Sequence, residues 1–321
     1  MTEPGPAIGI DVGGTKTAAL LVDRDGTVLG REVRSTPADD ERATLATMVE
    51  AARAVAVAGP AAVGVGIAAA GMVDRDGRLR YAPNLSWRDV PLATHLGGEL
   101  GLTAVADNDV NAAAWGEYLH GAGQGARNLL MVSVGTGIGG GIVLDGRLYR
   151  GANGFAGEIG HVVVDPMGPW CGCGNRGCWE QLASGTAITR AGRRAAVRHP
   201  HSSLLERAGG DPQAVTGDVV TEAAREGDTV SRGIFVEVGH RLGVGMAGFV
   251  NVIDPDLIVV GGGASEAGDL LLAPARDAYR RSVEGFDHRP DVPIVQAALG
   301  GDSGAIGAAA LVFDQIERGT T

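Results

Sequence analysis

At 321 residues the chain is long for one hydrophobic core, which points to two domains. It is 45% hydrophobic and 20% charged, which excludes a disordered or low-complexity polymer. A net charge of −11 argues against nucleic acid as a main partner, and no apolar run is long enough to span a bilayer.

The first predicted strand covers residues 7–12 and ends on Asp11-Val12. The loop Gly13-Gly14-Thr15-Lys16-Thr17 follows, then a second strand over 18–22. An Asp-Gly turn, Asp25-Gly26, leads into a third strand over 27–29, as expected of a hairpin. Residues 39–58 have helical spacing, with Leu45, Met48, Val49 and Ala52 on one face. The polar string Asp107-Asn108-Asp109-Val110-Asn111 closes an apolar strand and opens a predicted helix over 109–120. Binding groups often sit at such strand-to-helix corners.

The opening plan then returns. A strand over 129–134 runs into Gly135-Thr136-Gly137-Ile138-Gly139-Gly140-Gly141. A strand over 142–144, the turn Asp145-Gly146 and a strand over 147–149 follow. Two copies of strand, glycine loop, strand, turn and strand imply a duplicated architecture. Helices predicted at 231–252 and 305–318, with a strand at 257–260 before Gly261-Gly262-Gly263, complete an α/β alternation. Residues 193–217, with His199-Pro200-His201, read as a polar, loop-rich, solvated excursion and not as a second metal site.

Glycine loops let backbone N–H groups approach phosphate oxygens, so the paired loops suit a triphosphate. Thr15, Lys16 and Thr136 add donors, and Lys16 is the only lysine in the chain. Asp11 would be repelled by phosphate unless a cation lay between them, which suggests a Mg²⁺ water shell. The spacing is not that of a P-loop. Gly135-x-Gly137-x-x-Gly140 matches a dinucleotide fingerprint, but a hairpin follows where that motif needs a helix.

All three cysteines fall within eight residues, Cys171-Gly-Cys173-Gly-Asn-Arg-Gly-Cys178, with nine residues between His161 and Cys171. One imidazole and three thiols make the ligand set of a closed tetrahedral zinc site. Three is an odd number for disulfides, and the N-terminus carries no signal-peptide pattern, so a reducing, cytoplasmic setting is expected. Glu158 and Glu180 frame this loop. With Asn84 and Asn108 they form a set of amide and carboxylate groups suited to a hydroxyl-rich ligand. Zinc on one nitrogen of His161 leaves the other for a hydroxyl. Asp107 and Asp109 are both candidates for a general base, and Asp109 could equally cap its helix.

These motifs together resemble the ROK (repressor, open reading frame, kinase) family of sugar kinases, most closely its bacterial ATP-dependent glucokinases. The resemblance rests on Asp11-Val-Gly-Gly-Thr-Lys16, Asn108-Asp109, Gly135-Thr-Gly-Ile-Gly-Gly-Gly141, Glu158-Ile-Gly-His161, the cysteine motif through Glu180, and Gly261-Gly-Gly263. It implies an actin-like ATPase (ribonuclease H-like) fold of two α/β domains flanking a cleft, expected at 1–112 plus 303–321 and at 113–302. It implies phosphorylation of glucose to glucose 6-phosphate for glycolysis, with Asp109 as base for the 6-hydroxyl. Gly71, Asn84, Asn108, Asp109, Glu158, His161 and Glu180 would bind the sugar. Asp11, Gly13, Gly14, Thr15, Lys16, Gly135, Thr136, Gly137, Gly262 and Gly263 would bind ATP with Mg²⁺. His161, Cys171, Cys173 and Cys178 would hold structural zinc. A homo-oligomer, dimer or tetramer, is expected. With Asp11 so near the start, no N-terminal DNA-binding segment is expected. Other readings are a kinase for another hexose such as N-acetylmannosamine, a polyphosphate donor, and a non-catalytic sugar-sensing regulator.

Overall fold

The computed structural model describes residues 5–57, 59–82 and 87–319. In chain order the elements are β1 Ala7–Val12, β2 Lys16–Val22, β3 Val28–Ser35, α1 Glu41–Val57, β4 Gly64–Ala69, β5 Met72–Val73, β6 Leu79–Tyr81, β7 Arg88–Val90, α2 Leu92–Leu100, β8 Thr103–Asn108 and α3 Asp109–His120. They continue with β9 Leu129–Val134, β10 Ile138–Leu144, β11 Arg147–Leu148, α4 Glu180–Ala183, α5 Gly185–Arg198, α6 Ser203–Arg207, α7 Gly217–Arg225, α8 Thr229–Ile253, β12 Leu257–Gly261, α9 Asp269–Ser282, β13 Ile294–Gln296 and α10 Ser303–Gly319.

Contacts divide the chain into two compact units. The first takes residues 1–131, 140–157 and 297–321, and the second takes 132–139 and 158–296. This grouping differs from the ranges expected from sequence by joining 113–131, 140–157 and 297–302 to the first unit. The cause is α3, which lies along α10: a side chain on Gly307 would meet the Ala112 carbonyl oxygen.

The two five-stranded sheets have orders β3-β2-β1-β4-β8 and β11-β10-β9-β12-β13. Matched strand for strand, these are the same order, so the repeated sequence plan is a repeated fold. In the first sheet the hairpin strands pair antiparallel, and β1, β4 and β8 run parallel. Side chains alternate across β1. Ile8, Ile10 and Val12 enter a core with Leu45, Met48 and Leu96 of α1 and α2. Ala7, Leu20 and Val22 face Ile306, Ala309 and Phe313 of α10 on the other side. Gly9 and Gly66 let α10 lie against the sheet, since a Cβ on either would fall 1.8 Å from a backbone oxygen of Ala305 or Ala308.

Some expectations need correction. Lys16 and Thr17 belong to β2 and not to the loop, and Thr17 is fully buried with its hydroxyl 2.9 Å from that of Thr36. The second glycine run is mostly strand, because β10 starts at Ile138; the loop is only 135–137. Gly141 is bare because α3 passes over it, with Ala114 Cβ 2.4 Å from where its Cβ would be. The supposed excursion at 193–217 is largely helical, and Leu204 and Val215 are its fully buried anchors. His199 and His201 are exposed and belong to no metal-ligating cluster among the described residues. No helix among those residues is long and apolar enough to cross a membrane.

Candidate functional site

In the first unit the polar string sits where β8 meets α3. Asn108 is the N-cap: its side-chain oxygen accepts from Val110 N (2.8 Å) and Asn111 N (3.1 Å). Its amide nitrogen donates to the Gly71 carbonyl at 3.0 Å, joining two of the predicted sugar-binding positions. The capping role allowed for Asp109 is therefore filled by Asn108, and Asp109 is the first residue of the helix. Asp107 is 3% exposed. One of its oxygens accepts from Asn108 N (2.8 Å) and Asn111 Nδ2 (2.9 Å); the other meets Arg150 Nε at 2.5 Å. A carboxylate so occupied is unsuited to general base catalysis. Asn84 lies outside the described residues.

The first glycine loop is a tight turn. Gly13 N donates to Lys16 O (3.0 Å) and Thr36 N to Thr15 O (3.0 Å), leaving Thr15 and Lys16 exposed. Loss of surrounding water lifts the Asp11 carboxyl to about 6; Lys16 opposes the shift and Asp302 adds to it. A carboxylate disfavoured in this way is suited to a cation or a water shell around one.

In the second unit, the loop at 135–137 is held from the start of α5. Gly185 N donates to Gly135 O at 2.8 Å, and the Thr186 hydroxyl donates to Thr136 O at 2.7 Å. Glu180 lies over the same loop, with Oε2 2.4 Å from where a Cβ on Gly137 would stand. Gly262 follows β12, and its carbonyl accepts from both the N–H and the hydroxyl of Ser265, at 2.9 and 2.7 Å. Gly263 opens the short 3-10 turn that follows.

Glu158 precedes a 3-10 turn over Ile159–His161, so Glu158 and His161 lie one turn apart. Glu158 is exposed as a residue, yet local loss of water holds its carboxyl above the ordinary range; His161 counters this and Glu180 adds to it.

The ligand atoms of His161, Cys171, Cys173 and Cys178 all lie within 4.8 Å of one another. Cys171 Sγ is 3.7 Å from His161 Nδ1, and Cys173 Sγ is 3.6 Å from Cys178 Sγ. A zinc tetrahedron with sulfur ligands has edges of about 3.8 Å, so the donor set fits that ion. Burial, reinforced by Glu180, pushes the Cys171 thiol up to about 12, so a cation is needed for the sulfurs to ionise together. The loop is shaped for this. Gly177 has a positive φ of 69°, and a Cβ there would stand 1.5 Å from Asp165 O. Arg176 bonds the carbonyls of Met167 and Gly168, both at 3.1 Å, and lies over the Trp170 ring. Trp179, fully buried, donates to Arg241 O at 3.0 Å and fixes the end of the motif on α8.

Sequence reasoning gave no role to Arg150, Asn111 or Thr186. Asn111 was visible as part of the polar string. Arg150 and Thr186 carried no signal, because their partners lie 43 and 50 residues away.

The family model described as "ROK family" matches residues 7–315. The chain is 42% identical over 312 residues to a glucokinase of Streptomyces coelicolor, covering 96% of this chain and 97% of that one. It is 36% identical to a glucokinase of Thermotoga maritima, covering 96% and 98%. Among solved structures, a ROK family glucokinase from Streptomyces griseus in complex with glucose and AMPPNP superposes with a TM-score of 0.88 at 41% identity, covering 96% and 99%. The actin-like ATPase fold expected from the sequence is the fold these kinases share.

Proposed function

Because this chain belongs to the ROK family, we propose that it is a glucokinase, transferring the γ-phosphoryl group of ATP to the 6-hydroxyl of glucose. The observation that carries the reading is its near-full-length likeness to a relative that binds glucose and AMPPNP together.

The residues then take the following roles. Asp109 orients the sugar 6-hydroxyl and accepts its proton as the oxygen bonds to the γ-phosphorus; the bond to ADP breaks, and ADP leaves with the electron pair. The three hydrogen bonds that engage both oxygens of Asp107 support choosing Asp109. Gly71 and Asn108 of the first unit, and Glu158, His161 and Glu180 of the second, are assigned to the sugar, and Asn84 with them. Nδ1 of His161 faces Cys171, which supports giving zinc that nitrogen and a hydroxyl Nε2. The turns at 13–16, 135–137 and 262–263 receive the nucleotide phosphates through their amides and hydroxyls, except that Gly13 N–H and Gly135 N–H close their own turns. Mg²⁺ entering with ATP would supply charge neutralisation, and Asp11 is the residue suited to its water shell. Zinc, held by His161, Cys171, Cys173 and Cys178, would stiffen the loop that presents Glu158, His161 and Glu180.

The reading includes a cytoplasmic setting, where three thiolates stay reduced, a product that enters glycolysis, and a homo-oligomeric assembly. The test is ADP release with MgATP across glucose, mannose, fructose and N-acetylmannosamine, with a no-sugar control. Strong glucose-dependent turnover is expected. Turnover only with another hexose would keep the mechanism and change the substrate. No turnover from folded, zinc-loaded protein would sink the kinase reading with ATP.

A further inference from the structure

We propose that Arg150 is a positioning residue for the base: through its ion pair with Asp107 it fixes the β8–α3 corner from which Asp109 projects. The inference rests on the kinase reading and concerns Arg150, to which that reading gives no part.

The Asp107 carboxylate ties three pieces of chain together. Through Asn108 N–H it holds the last residue of β8, and through Asn111 Nδ2 it holds the first turn of α3. Through Arg150 Nε it holds the segment that follows β11. Asp109 lies between the two bonded residues, Asn108 and Asn111, so its backbone is clamped on both sides. Arg150 is itself anchored, since its carbonyl accepts from Ala156 N at 3.1 Å. Asp107 is 3% exposed, and the Arg150 side chain is 21% exposed.

A buried ion pair adds little net stability over well-packed apolar side chains, so fold stability is a weak reason for placing one here. Geometry is a stronger one. Without Arg150 the Asp107 carboxylate is a buried, uncompensated charge. It would rotate toward water or take up a proton, and either change breaks a bond to Asn108 or Asn111. The first turn of α3 then loses its fixed aim. In phosphoryl transfer, a misplacement of about 1 Å costs on the order of 100-fold in rate.

The experiment is steady-state ADP release with MgATP and glucose for wild type, Arg150→Met, Arg150→Lys, Arg150→Ala and Asp109→Asn, with the folded fraction of each measured by circular dichroism. For Arg150→Met, kcat per folded molecule should fall by roughly 30- to 100-fold, several times more than the glucose KM rises through Asn108. Arg150→Lys keeps the charge but not the planar fork, so it should fold and recover only part of the loss. Added guanidinium should restore turnover to Arg150→Ala and leave Asp109→Asn inactive. Unchanged kcat in folded Arg150→Met, or a loss in every Arg150 variant that matches its unfolded fraction, would overturn the positioning role. If Arg150→Met does not fold, wild-type kcat in Arg150→Lys overturns it alone. Absence of sugar-dependent turnover in the wild type would remove the kinase reading, and this inference with it.

Discussion

Cys171 Sγ stands 3.7 Å from His161 Nδ1, a tetrahedron edge spanning ten residues of sequence. The glycine-rich turn at 172–177 brings Cys173 and Cys178 to the same point, and Trp179 fastens the end of the motif to α8. The ion is thus expected to set the shape of a loop that has little core of its own. Cys178→Ser should lower the metal content from about one zinc per chain to a small fraction. The thermal midpoint should fall, and the glucose KM should rise because His161 loses its anchor. Metal analysis, a melting curve and KM check this; a zinc-free variant with unchanged midpoint and KM would contradict it.

Asp109→Asn removes the proton acceptor while keeping size, and replaces one acceptor oxygen with an N–H₂ donor. Loss of a positioned base costs roughly 100- to 10,000-fold, so kcat should fall by at least that lower figure, with glucose binding retained. The comparison is Asp107→Asn, which should damage folding stability as well as turnover, since it weakens the pair with Arg150. Equilibrium glucose binding and single-turnover rates separate the two. Near-normal turnover in Asp109→Asn would move the base elsewhere.

Asp11 gives a pH dependence. Its carboxyl is raised from 3.8 to about 6 in the folded chain, so between those values the folded state holds more protons than the unfolded one. Stability of the nucleotide-free protein is therefore fully favoured below about pH 4 and declines as pH rises to about 6; above that the whole penalty, roughly 1–3 kcal/mol, is present. Asp11→Asn should remove this slope, matching wild type below pH 4 and exceeding it in urea midpoint at pH 7.5. Its catalytic rate should drop, because the water shell of the cation loses its partner. Equal urea midpoints at pH 7.5 would show that Asp11 carries no such penalty.

Legibility in the sequence followed the range of the interactions. The four candidate metal ligands lie within eighteen residues, and the turn that Gly13 N–H closes on Lys16 O within four, so local spacing exposed both. The strand-order duplication was legible because each copy is a hairpin, the most local of sheet elements. Glycine misled where it served packing and not turning: residues 139–141 look like loop but are strand, bare so that α3 can cross them. Residue spacing left Asp107 and Asp109 open, and only the family resemblance favoured Asp109, because the arginine that pairs with Asp107 lies 43 residues away with no motif to mark it.

Glu117 is a further long-range case and yields the last prediction. It is fully buried on α3, and its carboxylate accepts from Ala122 N (2.8 Å), Ala298 N (3.0 Å) and Leu299 N (2.8 Å). Ala298 and Leu299 lie where the chain re-enters the first unit before α10, so one side chain secures a connection 182 residues away. Glu117→Ala leaves three backbone donors unpaired and a cavity, and should cost roughly 3–5 kcal/mol. Glu117→Gln keeps the volume but turns an amide N–H₂ toward a backbone N–H, and should cost about 2 kcal/mol. Urea unfolding at pH 7.5 measures both. Since Glu117 is assigned no contact with sugar or nucleotide, the glucose KM of the folded Gln variant should stay at the wild-type value. A loss below about 1 kcal/mol for Glu117→Ala would mean that water replaces the carboxylate at those three amides.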